Sequence, residues 1–324
     1  MGPFETVYLL GHKLDRRRKS AKARRLPEGT VVSIGNLTTG GTGKTPLVIM
    51  LAGRLVESGF RACVLTRGYK GALAGPARIT PGMSASEAGD EPLLLAGKLP
   101  GVPVIKGKDR YEAGLYAHRS LDPKPDVFIL DDGFQHWGLK RDLDILILDA
   151  GFYLNRLLPA GSLREPLPGI GRADIIVAAR TRKVPPDFER EVRKYNPGAP
   201  IFPAWHETRC VTDCGSGKSY PPDRLRGKEV FAFAGIGRPE SFRQSLLEAG
   251  AIVKGFRGFR DHHVFTGPEM DGIRKAARGL WIITTEKDIM RLEGDRSGLY
   301  ALSVEMRAEG EFFGEVLRRI IKPK

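Results

Sequence analysis

Asn36-Leu37-Thr38-Thr39-Gly40-Gly41-Thr42-Gly43-Lys44-Thr45-Pro46 is the stretch that decides the fold. The apolar run at 31–34 before it predicts a buried strand. Apolar residues at helical spacing follow it, and Gly59 is a suitable residue to end that helix. A strand, a glycine loop and a helix in this order predict a phosphate-binding loop. Glycine lets backbone N–H groups approach phosphate closely, and the N-terminus of a helix favours an anion.

The loop is predicted to bind a nucleoside triphosphate. We expect Lys44 to reach the β- and γ-phosphates and Thr45 to ligate Mg²⁺. The usual first glycine of the motif is replaced by Thr38. A glycine-rich turn of purely structural use is the alternative. The residues predicted to surround the phosphates are Thr39, Gly40, Gly41, Thr42, Gly43, Lys44 and Thr45.

Length and charge bound the fold class and the partners. The 324 residues can bury a large core and make two domains the natural expectation. Alternating strand and helix patterns indicate α/β architecture with parallel strands. There are 52 Lys and Arg residues against 38 Asp and Glu residues, which gives a formal net charge of +14. This charge favours anionic partners; the alternative is a basic surface that only keeps the protein soluble. The 3 cysteines form no recognisable metal site and fit a reducing compartment.

The organisation along the chain predicts two domains. We expect a P-loop domain over residues 1–200, a hairpin linker over 201–227, and a smaller α/β domain over 228–324 that closes over the active site. Prolines mark the end of the first domain between residues 185 and 203, and a Gly/Ser/Lys turn near residue 216 suits the hairpin.

The N-terminal segment combines a short apolar patch with a basic run. Apolar side chains lie between Phe4 and Leu10, and eight Lys or Arg residues follow between Lys13 and Arg25. The apolar part is shorter than the roughly 20 residues of a membrane span. An amphipathic segment on an anionic membrane surface and an ordinary helix packed on its own domain both fit this pattern.

Acidic pairs supply candidates for the chemistry. Asp131 and Asp132 follow an apolar run at a predicted strand end, where ligands collect in α/β folds, and are predicted to hold Mg²⁺. Asp90 and Glu91 open a predicted helix, so they either cap it or activate a hydroxyl group. Asp261-His262-His263 is more typical of a turn or core than of a catalyst. Thr285-Glu286-Lys287-Asp288 partly matches a guanine-specifying motif but lacks its Asn.

Taken together, these motifs resemble those of the tetraacyldisaccharide 4′-kinases. The resemblance runs from about residue 30 to residue 290. The resemblance implies two α/β/α domains joined by a two-stranded linker. It also implies Mg²⁺ and ATP as cofactors and phosphorylation of the 4′-hydroxyl of an acylated glucosamine disaccharide 1-phosphate lipid, at the cytoplasmic face of the inner membrane. Besides the P-loop, the motifs are Thr66-Arg67-Gly68-Tyr69, Gly89-Asp90-Glu91-Pro92, Asp131-Asp132-Gly133-Phe134-Gln135-His136, Leu158-Pro159-Ala160-Gly161, Leu163-Arg164-Glu165-Pro166, Asp261-His262 and Thr285-Glu286-Lys287-Asp288.

The resemblance also implies roles for individual residues. Asp90 matches the catalytic base, His262 the histidine paired with it, and Lys44 the phosphate-binding lysine. Residues matching positions around the metal and phosphates are Thr45, Glu91, Asp131, Asp132, Gln135 and Glu165. Residues expected to contact the lipid substrate are Arg67, Tyr69, Arg110, His136 and Arg164. The apolar N-terminal part is shorter than in many members, which favours peripheral or monotopic association with the anionic inner membrane.

Two other classes of protein fit part of this pattern. P-loop ATPases that partition plasmids or load metals usually carry Lys just before the paired glycines, where this chain has Thr39. A nucleic-acid-binding module is favoured by the charge alone, since no basic–aromatic motif accompanies it. We therefore expect no nucleic-acid partner, and we expect a monomer.

Overall fold

The protein alternates strands and helices along its whole length. The structure is a computed structural model that describes residues 2–68, 71–80, 82–292 and 294–321. Its helices are α1 (Pro3–Ala21), α2 (Lys44–Glu57), α3 (Ala85–Ala88), α4 (Asp90–Lys98), α5 (Arg110–Ser120), α6 (Pro186–Arg193), α7 (Pro239–Glu248), α8 (Gly267–Ala277), α9 (Glu286–Met290) and α10 (Gly310–Ile321). Its strands are β1 (Thr30–Gly35), β2 (Ala62–Thr66), β3 (Ala77–Ile79), β4 (Val104–Lys106), β5 (Val127–Asp131), β6 (Leu143–Asp149), β7 (Ile175–Ala179), β8 (Ile201–Asp213), β9 (Ser219–Tyr220), β10 (Glu229–Ala234), β11 (Ile252–Gly258), β12 (Trp281–Thr285) and β13 (Leu299–Ala308).

Two compact units make up the chain. The first contains Met1–Trp205 and Met306–Lys324, and the second contains His206–Glu305. Strands of the first unit follow the order β8-β7-β6-β1-β5-β2-β4-β3. Neighbouring strands in that order are parallel, except that β3 runs antiparallel to β4. The carboxyl ends of β1, β5, β6 and β7 therefore lie along one edge, where an α/β fold binds its ligands.

Helices cover both faces of the sheet in the first unit. Alternate residues of β1 point to opposite faces, so Val32 and Ile34 join one apolar cluster and Val31 joins another. The first cluster includes the apolar stripes of α2 and α10, and the clusters on the opposite face include those of α5 and α6. Burial on both faces explains why these strands are almost continuously apolar.

The second unit is a smaller α/β layer structure. Its parallel strands follow the order β11-β10-β12-β13. Phe242 and Leu246 of α7 are buried in one apolar cluster, and Met270 and Ile273 of α8 in another. The predicted fold class, α/β with mostly parallel sheets, is confirmed.

The structure corrects the predicted domain boundaries. The predicted hairpin lies within 201–227, because β9 pairs antiparallel with the end of β8. However, the chain passes from the first unit to the second within β8 and returns within β13. The predicted second domain, 228–324, therefore ends too late. The apolar face of α10 is buried in the core of the first unit, through Phe312, Val316 and Ile320.

Prolines and short segments account for the elements that the sequence did not predict. Pro186 is the first residue of α6, a position where the missing N–H costs nothing. Pro203 lies inside β8, and β3 has only three residues. None of the helices in the described part of the chain has the length and apolar character needed to cross a bilayer.

Candidate active site

The P-loop connects β1 to α2 at the ligand-binding edge of the first unit. Gly40 and Gly43 have positive φ angles of 100° and 94°, a conformation that only glycine adopts without strain. Lys44 is the first residue of α2. The loop therefore directs a lysine and the N-terminus of a 14-residue helix toward one point, which suits a phosphate group.

Asn36 organises the polar side chains of the P-loop. Its Nδ2 donates to Thr42 Oγ1 at 2.8 Å, and its Oδ1 accepts from Lys44 Nζ at 3.2 Å. Its main-chain oxygen accepts from Gln135 Nε2 at 2.8 Å. Asn36 is fully buried, so these bonds replace those that water would make. Asn36 therefore links Lys44, through its side chain, to Gln135, through its main-chain oxygen.

Asp132 is the anionic centre of the site. It follows β5 in the left-handed region, with φ of 54°, which turns its side chain out of the strand direction. Arg164 Nη1 donates to its two carboxylate oxygens at 2.9 and 2.7 Å, and Lys44 Nζ lies 3.6 Å from Oδ1. Burial alone raises the pKa of Asp132, but Lys44 and Arg164 outweigh it and hold the pKa below its ordinary value.

Asp131 and Arg110 lie beside this centre. Asp131 is buried at the end of β5 and accepts from Thr66 Oγ1 at 3.3 Å. Arg110, the first residue of α5, is also buried, and its Nη1 donates to the Lys108 main-chain oxygen at 3.1 Å. Burial lowers the pKa of Arg110 to about 10, although Asp132 and Asp131 act in the opposite direction. The predicted metal and substrate positions thus meet at one edge of the sheet.

Gln135 and Glu165 form a second polar group next to the P-loop. Gln135 Nε2 donates to Glu165 Oε1 at 2.7 Å as well as to Asn36, which fixes the orientation of the amide. Glu165 is buried and paired with Arg172 at 2.7 Å. Gln135 Oε1 is a buried oxygen without a hydrogen-bond partner in the described structure.

These oxygens fit the chemistry of Mg²⁺. Within residues 2–68, 71–80, 82–292 and 294–321, no three or more His, Cys, Asp or Glu side chains lie close enough together to hold a metal ion by themselves. Mg²⁺ commonly needs only one or two carboxylates, with phosphate and water oxygens completing its shell. Asp131, Asp132 and the amide oxygen of Gln135 would supply hard oxygen ligands beside Thr45, which is buried at the start of α2.

Asp90 and Glu91 open α4 in the first unit. Gly89, with φ of 93°, turns the chain from α3 into α4, and Asp90 is buried as the first residue of that helix. The preceding segment is held by Lys106, whose Nζ donates to Glu87 O at 3.0 Å. Acidic residues are favoured in the first turn of a helix, so the position of Asp90 is explained without a catalytic role.

The residues predicted to contact the substrate have different environments. Arg67 is exposed after β2, and Tyr69 lies outside the described residues. Arg164 belongs to the Asp132 group described above. Burial and the positive charge of Arg110 lower the pKa of His136 to about 4, so its imidazole is neutral at neutral pH. His136 Nε2 is buried without a hydrogen-bond partner in the described part of the chain.

In the second unit, His262 contacts Asp261 and Arg291. It lies in the left-handed region with φ of 58°, and its main-chain N–H donates to Asp261 Oδ1 at 3.0 Å. Arg291 Nη2 lies 3.3 Å from His262 Nδ1. Because arginine has no acceptor, Nδ1 must accept, and Nε2 carries the proton of the neutral ring. His262 can therefore donate a hydrogen bond from Nε2.

Asp288 has a structural environment in the same unit. It is fully buried and accepts from Thr285 Oγ1 at 2.7 Å and from Gly235 N at 3.2 Å. Arg291 Nη1 pairs with it at 3.2 Å and donates to Gly235 O at 2.7 Å. In a guanine-binding motif, the Asp288 carboxylate would hydrogen-bond to the base, but here it is already bonded within the protein. The partial Thr285–Asp288 motif therefore stabilises the loops around His262.

The whole chain matches known proteins with one description. A profile of the family described as tetraacyldisaccharide-1-P 4′-kinase, LpxK, matches residues 1–322. The chain belongs to this family. The tetraacyldisaccharide 4′-kinase of Geobacter sulfurreducens is 43% identical over 289 residues, covering 86% of this chain and 79% of the relative. That of Pelobacter propionicus is 40% identical over 305 residues, covering 90% and 82%.

A solved structure of the family has the same fold. The "apo" form of LpxK from Aquifex aeolicus, in complex with ATP, superposes with a TM-score of 0.77 at 36% identity, covering 98% of both chains. Family membership confirms the prediction of a kinase, and the ATP complex of this relative confirms the predicted nucleotide. The alternative of a plasmid-partition or metal-loading ATPase is not supported.

The structure adds residues of this kinase that the sequence did not single out. Asn36 was visible as the first residue of the P-loop motif, but its bonds to Lys44 and Thr42 were not. Arg172 follows Glu165 by only seven positions, and a 3-10 turn brings the two together. Arg180, after β7, donates to Gly41 O in the P-loop and to Asp149. No local pattern marks Arg180, because its contacts are set by the order of the strands.

Proposed function

We propose that this chain transfers the γ-phosphate of ATP to the 4′-hydroxyl of a tetraacylated glucosamine disaccharide 1-phosphate. The product would be the bis-phosphorylated lipid A precursor. The observation that carries the proposal is the joint placement of Lys44 and Arg164 on Asp132 beside the P-loop. Two cations and a carboxylate at the start of α2 provide the charges that phosphoryl transfer requires. The family description names a tetraacyldisaccharide 1-phosphate and the 4′-position.

The P-loop side of the site would stabilise the charge that develops on the transferred group. We assign Lys44 to the β- and γ-phosphates, since its ammonium is held by Asn36 at the mouth of the loop. Arg164 would contact the transferred phosphoryl group or the substrate headgroup. Asp131, Asp132, Gln135 and Thr45 would hold Mg²⁺ through their side-chain oxygens, and the bound ion would supply positive charge against the phosphates. Glu165 and Glu91 are assigned supporting positions around it.

Asp90 is proposed as the base that accepts the proton of the sugar hydroxyl. Its burial at the first turn of α4 and the fixed turn at Gly89 support a defined carboxylate position. His262 is proposed to support this base, because its Nε2 carries the proton it could donate to a carboxylate. General acid–base assistance contributes about 10²- to 10⁴-fold.

The acceptor is proposed to bind through its anionic headgroup. Arg67 and Arg110 provide positive charge near Asp131, and Tyr69 follows Arg67 in the sequence. His136 would contribute as a neutral hydrogen-bonding group, since its low pKa prevents it from acting as a cation. The disaccharide 1-phosphate carries the negative charge that such a surface recognises.

The substrate is a membrane lipid, and we propose that α1 brings the protein to the cytoplasmic face of the inner membrane. The solvent side of α1 presents four exposed apolar residues, namely Phe4, Val7, Leu10 and Leu14. Basic residues follow from Lys13 onward, and an anionic bilayer complements both features. The protein is proposed to act there as a peripheral or monotopic monomer.

The test is an assay with γ-labelled ATP and the disaccharide 1-phosphate lipid in detergent micelles. We expect a doubly phosphorylated glycolipid, with label at the 4′-position. Label released only as inorganic phosphate, with lipid left unmodified, would reject the kinase assignment for this chain.

Two variants separate the roles. Asp90→Asn should lower kcat about 10²- to 10⁴-fold with little change in the KM for ATP. Asp122→Asn, which removes an exposed carboxylate outside the site, is the matched control and should keep wild-type kinetics. Wild-type turnover in Asp90→Asn would remove Asp90 from the role of base.

A further inference from the structure

The N-terminal helix has an inward face that contacts the active-site loops. Exposed apolar residues occupy one side of α1, whereas Glu5, Tyr8 and His12 lie on the other. His12 packs edge-on against Trp137, with 6.2 Å between ring centres. Trp137 directly follows the Asp131–His136 segment of the site. The inward face thus belongs to the first unit, even though the outer face is free for another partner.

Two residues of this face hold the two ends of one loop. We call residues 156–164 the clamp loop. Glu5, which is buried, accepts from Arg156 at 3.2 and 2.9 Å at the start of the clamp loop. Tyr8 Oη donates to the main-chain oxygen of Arg164 at 2.7 Å, at its end. Glu5 and Tyr8 are three positions apart and so lie on the same side of the helix.

The other side of the clamp loop is bonded to the P-loop. Thr39 N donates to Ser162 O at 2.7 Å, and Arg164 N donates to Leu37 O at 2.7 Å. The peptide groups on both sides of Arg164 are thereby fixed, one by the P-loop and one by Tyr8. The guanidinium that extends from this residue pairs with Asp132, next to Lys44.

We infer that Tyr8 is a positioning residue for phosphoryl transfer, acting through Arg164. Tyr8 itself would touch neither nucleotide nor lipid. Its hydroxyl sets the orientation of the Arg164 backbone, and so the place of the guanidinium on Asp132 and toward the phosphate. Burial raises the pKa of Tyr8, which keeps the hydroxyl protonated and able to donate. This inference rests on the kinase function proposed above.

The test is a double-mutant cycle with Tyr8→Phe and Arg164→Ala, measured at saturating ATP and lipid in detergent micelles. Tyr8→Phe alone should lower kcat about three- to tenfold, the effect of one neutral hydrogen bond, with the KM for ATP within about twofold of wild type. In the Arg164→Ala background, Tyr8→Phe should leave kcat unchanged, because the group through which it acts is already gone.

Controls separate positioning from a general effect on the helix. Thr6→Val removes a hydroxyl from the same helix, one whose bond is local, to Gly2 O at 3.1 Å, and should leave kcat unchanged. Binding of Tyr8→Phe to anionic vesicles should match wild type, because Tyr8 faces inward, and its thermal melting temperature should stay within a few degrees of wild type, because only one hydrogen bond is lost.

Three outcomes would overturn the inference. The first is wild-type kcat in Tyr8→Phe, and the second is an equal loss of kcat in the wild-type and Arg164→Ala backgrounds. In either case, a wild-type enzyme that still phosphorylates the lipid leaves the proposed function intact. The third is a wild-type protein that transfers no phosphate to the lipid, which would reject both proposals together.

Discussion

Asn36 makes two side-chain bonds that need both an amide N–H and an amide oxygen, and its main-chain oxygen accepts a third from Gln135. Its amide donates to Thr42 and accepts from Lys44, so it fixes the P-loop lysine before nucleotide binds. We expect Asn36→Ala to lower kcat/KM for ATP about 10- to 100-fold, since one of these bonds involves a charged group. Steady-state kinetics measure this effect. Asn36→Asp keeps the acceptor for Lys44 but adds a negative charge beside the phosphates, so its KM for ATP should rise further. Wild-type kinetics in Asn36→Ala would contradict the role.

His136 makes the stability of the protein depend on pH. Its pKa is about 4 in the folded protein and about 6.5 in an unfolded chain. The unfolded state therefore binds more protons between these values, and the free energy of unfolding falls as the pH falls through that window. The loss from this residue is complete only below about pH 4, the folded-state pKa, and amounts to roughly 3 kcal/mol. Urea unfolding of wild type and His136→Gln at pH 7, 5.5 and 4.5 should show a shallower loss in the variant. Parallel losses in the two proteins would contradict it.

The site residues that the sequence predicted differ from those it missed in how far away, along the sequence, their partners lie. Lys44, Asp131 and Asp132 could be placed because each follows an apolar strand, and parallel strands bring their carboxyl ends to one edge. Arg180 and Tyr8 could not be placed. Their partners, Gly41 and Arg164, are 139 and 156 positions away, and the contacts depend on strand order and helix docking.

Among the elements, α10 shows what an amphipathic pattern can and cannot predict. Its apolar residues at helical spacing indicate an amphipathic helix, but a stripe of Phe and Ile does not say which sheet it covers. The predicted domain over 228–324 assigned α10 to the second domain, which precedes it in the sequence. The structure packs Phe312 against Phe202 of β8, with 5.7 Å between ring centres, in the core of the first unit.

This packing predicts the effect of substitutions in α10. Phe312→Ala should lower the free energy of unfolding by about 3–5 kcal/mol, because it leaves a cavity in the core beneath α2. Urea denaturation followed by circular dichroism measures the change. Ile321→Ala, which shortens an exposed apolar side chain at the end of the same helix, is the matched control, with an expected change below about 0.5 kcal/mol. Equal effects of the two substitutions would contradict the assignment of α10 to this core.

At the scale of the whole molecule, the basic run of the N-terminal segment is one part of the net charge of +14, and its effect on membrane binding can be tested separately. Deleting residues 1–25 would remove the basic run together with Glu5 and Tyr8, which hold the clamp loop, so it would confuse membrane binding with catalysis. Arg17 and Arg18 are exposed on α1 and avoid this problem. Reversing their charge changes the surface offered to the bilayer and leaves the inward face intact.

We expect Arg17→Glu/Arg18→Glu to weaken binding to phosphatidylglycerol vesicles at least 30-fold at about 0.1 M salt. Each basic residue near an anionic surface contributes about 1 kcal/mol, and two are lost. The difference from wild type should shrink at about 1 M salt, where the Debye length is about 3 Å. Lys275→Glu/Arg278→Glu, the same charge change at exposed positions of the second unit, should bind as wild type. Vesicle co-sedimentation gives the affinities, and the detergent assay should show unchanged kcat for both variants. Equal weakening in the two double variants would mean that overall charge, rather than α1, attracts the membrane.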